Sequence, residues 1–514
     1  MQKNVKNCKL ILYICSNNNQ VVSLIHKMIR RLAKYLLRTA IVISILASLF
    51  SCEDEGYLNS PDAQLLFSRD TVMFDTIFTN IGSTTQHFKV YNPYNEDVLI
   101  SRIRVANGDL SNFRLNINGE IGNEAYDIVI PAQDSIFIFV EVTVDPNGQN
   151  MPMVVQDSIE FVTNYNFQSL NLIAYGQDFN LIRDGYISNT DWTSEKPYLI
   201  YGYAFVDSTS TLTIEAGTKI YFHKNSGLYI EGNIVAEGNY ENPVIFSSDR
   251  LEPSYKNIPN QWHRIILESG SHGNILNFVT IKNANIGLQV GTIEHDGYAS
   301  LQINNSRIEN MAYAGLFALK SRITGYNNVI ANCGFYAAAF LAGGNYEFYH
   351  TTIANYWGNY SPKARASSSV IISNFLPVKK ADGTSVIYNG DLERAFFGNC
   401  IIYGNFSNEI ELGDNNENMF NYSFDHCILQ VPDTLDLSDK DHYKNIWRGK
   451  DSDPKFVDPF DKHDYSLDTL SAAKDIGNPA FAKRFPVDIM NKDRLADDGP
   501  DLGAFERVEK KKKD

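Results

Sequence analysis

One short phrase recurs through the middle of the chain and limits what it can fold into. It runs Val279-Thr280-Ile281-Lys282-Asn283, Ser306-Arg307-Ile308-Glu309-Asn310, Asn328-Val329-Ile330-Ala331-Asn332 and Thr351-Thr352-Ile353-Ala354-Asn355, each an apolar residue followed two places later by Asn. Weaker echoes stand at Ile372-Ser373-Asn374, Cys400-Ile401-Ile402-Tyr403-Gly404-Asn405 and Cys427-Ile428-Leu429. The steps from Ile281 to Ile308, Ile330 and Ile353 are 27, 22 and 23 residues, and Ile402 to Leu429 is again 27. A period in the twenties marks stacked coils.

Residue types choose the coil. Val, Ile, Tyr, Phe and Thr dominate short alternating runs broken by Gly and Asn, which is strand chemistry. A leucine-rich repeat would need Leu where this chain has Ile or Val. The expectation is an all-β right-handed parallel β-helix, a solenoid in which one inward Ile per coil stacks on the next at roughly 4.8 Å. Asn at the recurrent corner suits a left-handed bend, and its amide can bond to the Asn above. A ligand-binding role for that Asn row is not needed to explain it.

The strands from Leu65 to Asp178 read differently. Alternation marks Thr71 to Phe78, Gln86 to Asn92, Asp97 to Val105, Phe113 to Ile117, Asp127 to Ile130, Ser135 to Val144, Asp157 to Thr163 and Gln168 to Tyr175, separated by turn signals such as Asn107-Gly108 and Asn118-Gly119. Eight short strands at this spacing predict an antiparallel β-sandwich. The pattern resembles the immunoglobulin-like domains that bacterial envelope proteins place between anchor and working module. The division expected is a sandwich over 65–178, a linker over 179–199 and the β-helix over 200–507, with a basic tail at 508–514.

The first 64 residues read as targeting. Arg30, Arg31, Lys34 and Arg38 precede an apolar run from Thr39 to Phe50, then Ser51-Cys52 and an acidic start, Glu53-Asp54-Glu55. This order of positive region, apolar region and small residue is a signal peptide over 28–51. The apolar run is short for a membrane span. Leu49 and Ser51 before Cys52 resemble a bacterial lipobox, which implies lipid on Cys52 and membrane attachment through it. The acidic triplet resembles the surface-export signal of Bacteroidetes lipoproteins, which implies the outer membrane and its outer surface. Met28 then reads as the true start, 1–27 as an upstream extension and 52–64 as a tether.

Charge narrows the partners. Residues 1–51 hold eight Lys or Arg and no acid, so the remainder carries 37 basic residues against 60 acidic ones, a net −23. That field opposes nucleic acid. Of six Cys, two lie upstream of Met28 and Cys52 takes lipid; Cys333, Cys400 and Cys427 remain, an odd count that argues against a disulfide framework. Cys400 and Cys427 occupy equivalent places in successive phrases and should stack at a separation within disulfide reach, with buried thiols the preferred reading.

Several runs carry a resemblance to a family. Thr211-Leu212-Thr213-Ile214-Glu215-Ala216-Gly217-Thr218, then Gly227-Leu228-Tyr229-Ile230-Glu231-Gly232, resemble the opening coils of bacterial β-helix repeat proteins. Asp453-Pro454-Lys455-Phe456-Val457-Asp458-Pro459 through Gly503-Ala504-Phe505-Glu506 resembles the closing segment of the pectin-lyase-like superfamily, here 450–507. A solenoid must cover its last open coil, and this segment is expected to do so. The resemblance, over Pro197 to Arg507, implies fold, and it brings polysaccharide lyases and hydrolases into view.

The chemistry of such enzymes is hard to find here. The Gly-His-Gly motif that accompanies hydrolytic carboxylates in the polygalacturonase-like branch is absent, and Asp497-Asp498 is the only adjacent Asp pair in the β-helix block. The acidic run Asp451, Asp453, Asp458, Asp461 and Asp464 suits calcium by ligand type but fits the closing motif as well. No metal site or cofactor is called for, with calcium the one ion in view. His263-Arg264 and Tyr349-His350 are polar pairs on strands, and a lone His there is ordinarily satisfied within the structure. Ile353 to Ile402 is a 49-residue gap, so Gly358 to Ala366 and Pro377 to Glu393 read as excursions. They and their borders hold Trp357, Tyr360, Lys363, Arg365, Lys379, Lys380, Tyr388 and Arg394, aromatics beside cations that suit a sugar ring with an acidic substituent. The plain alternative is solvated loops. The functional expectation is a lipid-anchored envelope protein binding glycan or an envelope partner. A polysaccharide lyase or hydrolase, or a purely structural lipoprotein, are the alternatives.

Overall fold

A computed structural model describes residues 27–39 and 56–509, apart from 147, 149–152, 294–296, 358–364 and 366. Cys52, most of the apolar leader run and the last five residues lie outside it. Residues 27–39 are helical, and no helix among the described residues is long and apolar enough to cross a membrane. The chain divides into two compact units, residues 1–70, 87–140 and 158–171, and residues 71–86, 141–157 and 172–514.

Strands with one apolar side build the N-terminal β-sandwich. Ser135–Val142 shows why: Ile136, Ile138, Val140 and Val142 are buried while Phe137, Phe139 and Glu141 face out, the period of a half-buried strand. One sheet runs in the order Leu66–Phe67, Gln86–Tyr91, Ser135–Val142, Phe113–Ile117, Glu120–Ile121; the other runs Thr71–Phe78, Asn166–Gln177, Met153–Thr163, Val98–Val105, Glu124–Ile130. Val98–Val105 pairs antiparallel with a neighbour on each side. All eight strands expected from alternation are present, and Glu120–Ile121 closes a turn they did not include.

From Asn180 onward the pairing becomes parallel in a 24-stranded sheet wound into a β-helix. The stretch 179–199, expected as a linker, already supplies Asn180–Ile187 and Thr190–Trp192, which pair with Tyr198–Val206 and Thr211–Ile214. Each full coil lays one strand on each of three faces. The first face carries Lys219–Phe222, Val244–Ser248, Val279–Lys282, Arg307–Met311, Val329–Cys333, Thr352–Asn355 and Ile401–Gly404. The second carries Gly227–Ile230, Arg264–Leu267, Ile286–Val290 and the starts of Ala314–Tyr326 and Tyr336–Tyr349. The third carries Asn233–Glu237, Asn274–Asn277, Ser300–Asn304, the ends of those two long strands, and Leu392–Gly398.

The expected aliphatic column is present on the first face. Ile281 pairs with Ile308, Ile308 with Ile330, Ile330 with Ile353, Ile353 with Ile402 and Ile402 with Leu429, all at most 1% exposed. The 49-residue gap is therefore a single coil with insertions. Ile372 does not extend the column; it pairs with Phe340 on the second face. The hairpin Phe375–Lys379 with Ser385–Asn389 leaves the coil just after it.

Two corners use left-handed backbone. Asn283, Asn310 and Asn332 have φ of 68°, 63° and 52° as expected, but Asn355 does not share that geometry. The expected Asn-to-Asn bonds do not form in that row, because Asn283 Nδ2 donates to Lys256 O at 2.9 Å and Asn310 Nδ2 to Asn257 Oδ1 at 3.4 Å. The side-chain ladder lies at the corner between third and first faces. There Asn305 Nδ2 donates to Asn277 Oδ1 and Asn327 Nδ2 to Asn305 Oδ1, both at 2.9 Å, and Phe278, Asn305, Asn327, His350, Asn399 and His426 all have positive φ. Cys400 and Cys427 stack as free buried thiols, with Cys400 N donating to Cys427 Sγ at 3.4 Å.

The closing segment does not lie over the last coil. It packs along the outside of the first face, where Val329, Ala331, Ala354, Ile401 and Ile428 point outward and join Phe456, Tyr465, Leu467, Ile489, Leu502 and Phe505 in a second core. The reason is the outward row itself. It reads Lys219, Ile245, Thr280 and Arg307 in the early coils and Val329, Thr352, Ile401 and Ile428 in the later ones, so apolar surface needs covering on the flank. Val431, Leu435 and Tyr443 instead pack against the end of the main core.

Candidate functional site

Of the described residues singled out from the sequence, Trp357 and Arg365 meet through Asn405, and both are buried. Trp357 is 6% exposed, and its carbonyl accepts from Asn405 Nδ2. Tyr360 and Lys363 lie outside the described residues. Arg365 is buried, its guanidinium donating to both oxygens of Glu409 and to Ser369 Oγ and Asn405 Oδ1 while stacking 4.2 Å above Phe406. This corrects its place: it is an internal staple whose side chain is closed off from solvent. Lys379 and Lys380 are exposed on the hairpin, and Tyr388 is half-buried there opposite Leu376. Arg394 faces outward on the third face, 3.0 Å from Glu347 and over Phe396. The acidic run is spent on turns, since Asp453, Asp458 and Asp464 accept from the backbone N–H of Lys455, Asp461 and Ser466. Among the described residues no group of three or more His, Cys, Asp or Glu is placed to hold a metal ion.

The aromatics that do converge lie on the outside of the second face. Parallel register places Tyr186 against Phe205, Phe205 against Tyr229, and Tyr229 against Ile266. The ring centroids are 5.5 Å apart for Tyr186 and Phe205 and 5.0 Å for Phe205 and Tyr229, with Tyr203 set edge-on to Tyr229 at 5.7 Å. Strand alternation causes this, because Ala204, Val206, Leu228 and Ile230 take the inward positions and leave the rings outside. Tyr186 is 82% exposed and Tyr203 47%. Further along the same face, Tyr313 stacks on Phe335 at 5.3 Å, with Phe317 and Tyr336 beside them.

A polar relay lies between the two aromatic groups. Arg264 Nε donates to His263 Nε2 at 3.1 Å, and His263 Nδ1 lies 3.3 Å from the Tyr229 hydroxyl. Because Nε2 accepts, the neutral ring carries its proton on Nδ1 and donates it to Tyr229. Burial and the adjacent Arg264 charge lower the His263 pKa and so favour that neutral form. The Tyr229 hydroxyl proton is then free to point outward. Arg264 also donates through Nη1 to Gln289 Oε1, whose amide holds the carbonyl of Gly291. His263 is thus satisfied within the structure, as expected of a strand histidine, while presenting a donor through its neighbour. His350, the other strand histidine, is buried against Asn399, and burial lowers its pKa well below the ordinary value.

No protein-family model matches the chain, and no curated protein does. Solved structures similar to parts of it include a family 123 glycoside hydrolase from Clostridium perfringens, at 10% identity over 22% of this chain and 25% of that one, with a TM-score of 0.16. The periplasmic chaperone SfaE is similar at 11% identity over 26% and 67% of the two chains, with a TM-score of 0.16. The chaperone and tip adhesion subunit complex CsuC-CsuE from Acinetobacter baumannii is similar at 16% over 22% and 52%, with a TM-score of 0.14. The chain spans between a quarter and two thirds of the solved structures named. Similarity at these TM-scores carries no argument about this chain.

Proposed function

We propose that this is a lipid-anchored protein of the bacterial outer membrane that binds a glycan along the second face of its β-helix. The observation that carries the reading is the exposed ring row Tyr186, Phe205 and Tyr229 with Tyr203 beside it. Sugar rings present C–H faces that pack on electron-rich aromatic faces, and their hydroxyls need nearby donors and acceptors. Tyr229 and Arg264 supply such groups next to the rings. The anchor rests on the lipobox around Cys52, and the placement at the cell surface on Glu53-Asp54-Glu55.

The test is titration of the chain from Glu53 onward with neutral and acidic glycans. Tyr186→Ala and Tyr203→Ala should each weaken binding at least tenfold with an unchanged melting temperature. Binding that ignores both substitutions, or no binding to any glycan, removes this reading. A second reading as a polysaccharide lyase or hydrolase rests on the Tyr229–His263 pair. New unsaturated or reducing ends in the same titrations, lost in Tyr229→Phe, would establish it.

A further inference from the structure

A cavity lies on a different flank from the aromatic row. It opens where the closing segment stops covering the first face, and it encloses about 460 Å3 between the early coils and that segment, within the usual range for a small-molecule site. Tyr240 and Phe278 form one wall, and Met490 and Phe505 the other. Thr280 and Arg307 line the floor as neighbours in register on adjacent coils.

Arg307 is the group that selects a ligand. Its Nη2 donates to Glu309 at 3.3 Å and to the His463 carbonyl at 3.1 Å, which fixes the guanidinium in place. Among the described residues no acceptor takes its Nε or Nη1 hydrogens, and its side chain is 29% exposed. Two further charges line the cavity. Asp464 accepts from Ser466 N and Oγ through Oδ1, and Lys462 lies 3.5 Å from Asp458. A pre-oriented guanidinium with unused donors at the bottom of apolar walls fits one carboxylate on an apolar body.

We propose that this cavity binds a small amphipathic monocarboxylate, its carboxylate on Arg307 and its apolar body between Met490, Phe505, Phe278 and Tyr240. This site is independent of the glycan face and goes beyond it. The probe is 4-phenylbutyrate titrated into the full mature chain by calorimetry, with 4-phenylbutyramide as the uncharged match. The acid should bind at least tenfold more tightly than the amide. Met490→Trp, which fills the cavity without touching Arg307, should abolish binding at an unchanged melting temperature, and Tyr240→Ala should weaken it. Tyr186→Ala on the second face should leave it intact, so failure here and failure of the glycan reading are separately visible. No binding of the acid, equal binding of the amide, or binding retained in Met490→Trp overturns the proposal.

Discussion

Two arginines that look alike in the sequence do opposite things. Arg365 and Arg394 both sit in the interrupted coil, but Arg365 is enclosed with Glu409 at 0% side-chain exposure while Arg394 is 46% exposed beside Glu347. Removing one partner of an enclosed pair strands the other charge away from water, at a cost of about 3–5 kcal/mol. An exposed pair contributes about 0–1 kcal/mol. Arg365→Met should therefore lower the melting temperature sharply, whereas Arg394→Ala should barely move it, as differential scanning calorimetry would read. If Arg365→Met leaves the melting temperature alone and instead weakens glycan binding, the internal staple is the wrong account. Nothing in the residue types around Arg365 distinguishes the two fates. What decides it is that Glu409, 44 residues later, returns beneath Arg365 on the next coil.

At the scale of strands and segments, legibility followed periodicity. The column from Ile281 to Leu429 could be read residue by residue, because one residue type recurs at one place in each coil and parallel pairing adds no freedom of register. Ile330→Ala or Ile353→Ala should cost about 2–5 kcal/mol each, visible as a fall in the urea midpoint. The second corner, built from Phe278, Asn305, Asn327, His350, Asn399 and His426, could not be read because its residue types change while its backbone stays constant. The aromatic row escaped for a related reason. Its members stand 19 and 24 residues apart and sit in runs of differing residue type, so Tyr186, Phe205 and Tyr229 share a row without sharing a step or a phrase. The covered flank was legible in principle, since outward positions turn from Thr280 and Arg307 to Val329 and Ile401, but only once inside and outside had been assigned.

The closing segment also has a pH signature. Burial, with Asp475 and Asp497 nearby, raises the Asp501 carboxyl from 3.8 to about 6. A group whose pKa is higher in the folded chain stabilises fully below its unfolded value, and that contribution is lost as pH rises through the folded value. The stability advantage of the parent over Asp501→Asn should thus be larger at pH 5 than at pH 7.5, by roughly 1–2 kcal/mol. Equal differences at the two pH values would remove Asp501 as the cause.

For the molecule as a whole, the β-helix is a stack in which each coil is supported by the one before it, and residues 450–507 are of another kind. They return to coils already built: the His463 carbonyl accepts from Arg307, the Val487 carbonyl from Asn327 Nδ2, and Ala504 N donates to Thr352 Oγ1. A chain ending after Gly449 should keep its strand content by circular dichroism. It should also bind a hydrophobic dye and self-associate on size exclusion, since Val329, Ala331, Ala354, Ile401 and Ile428 lose their cover. A truncated chain that stays monomeric and dye-silent would show that this flank needs no cover.

That arrangement makes the surface of the coils a report on whether their strap is in place. Synthesis delivers these coils before the strap that shields them, so a polypeptide interrupted between the two is sticky where one carrying the strap is smooth. A stop or a cut ahead of the strap would thus announce itself to proteases and chaperones by surface alone, before any loss of coil structure.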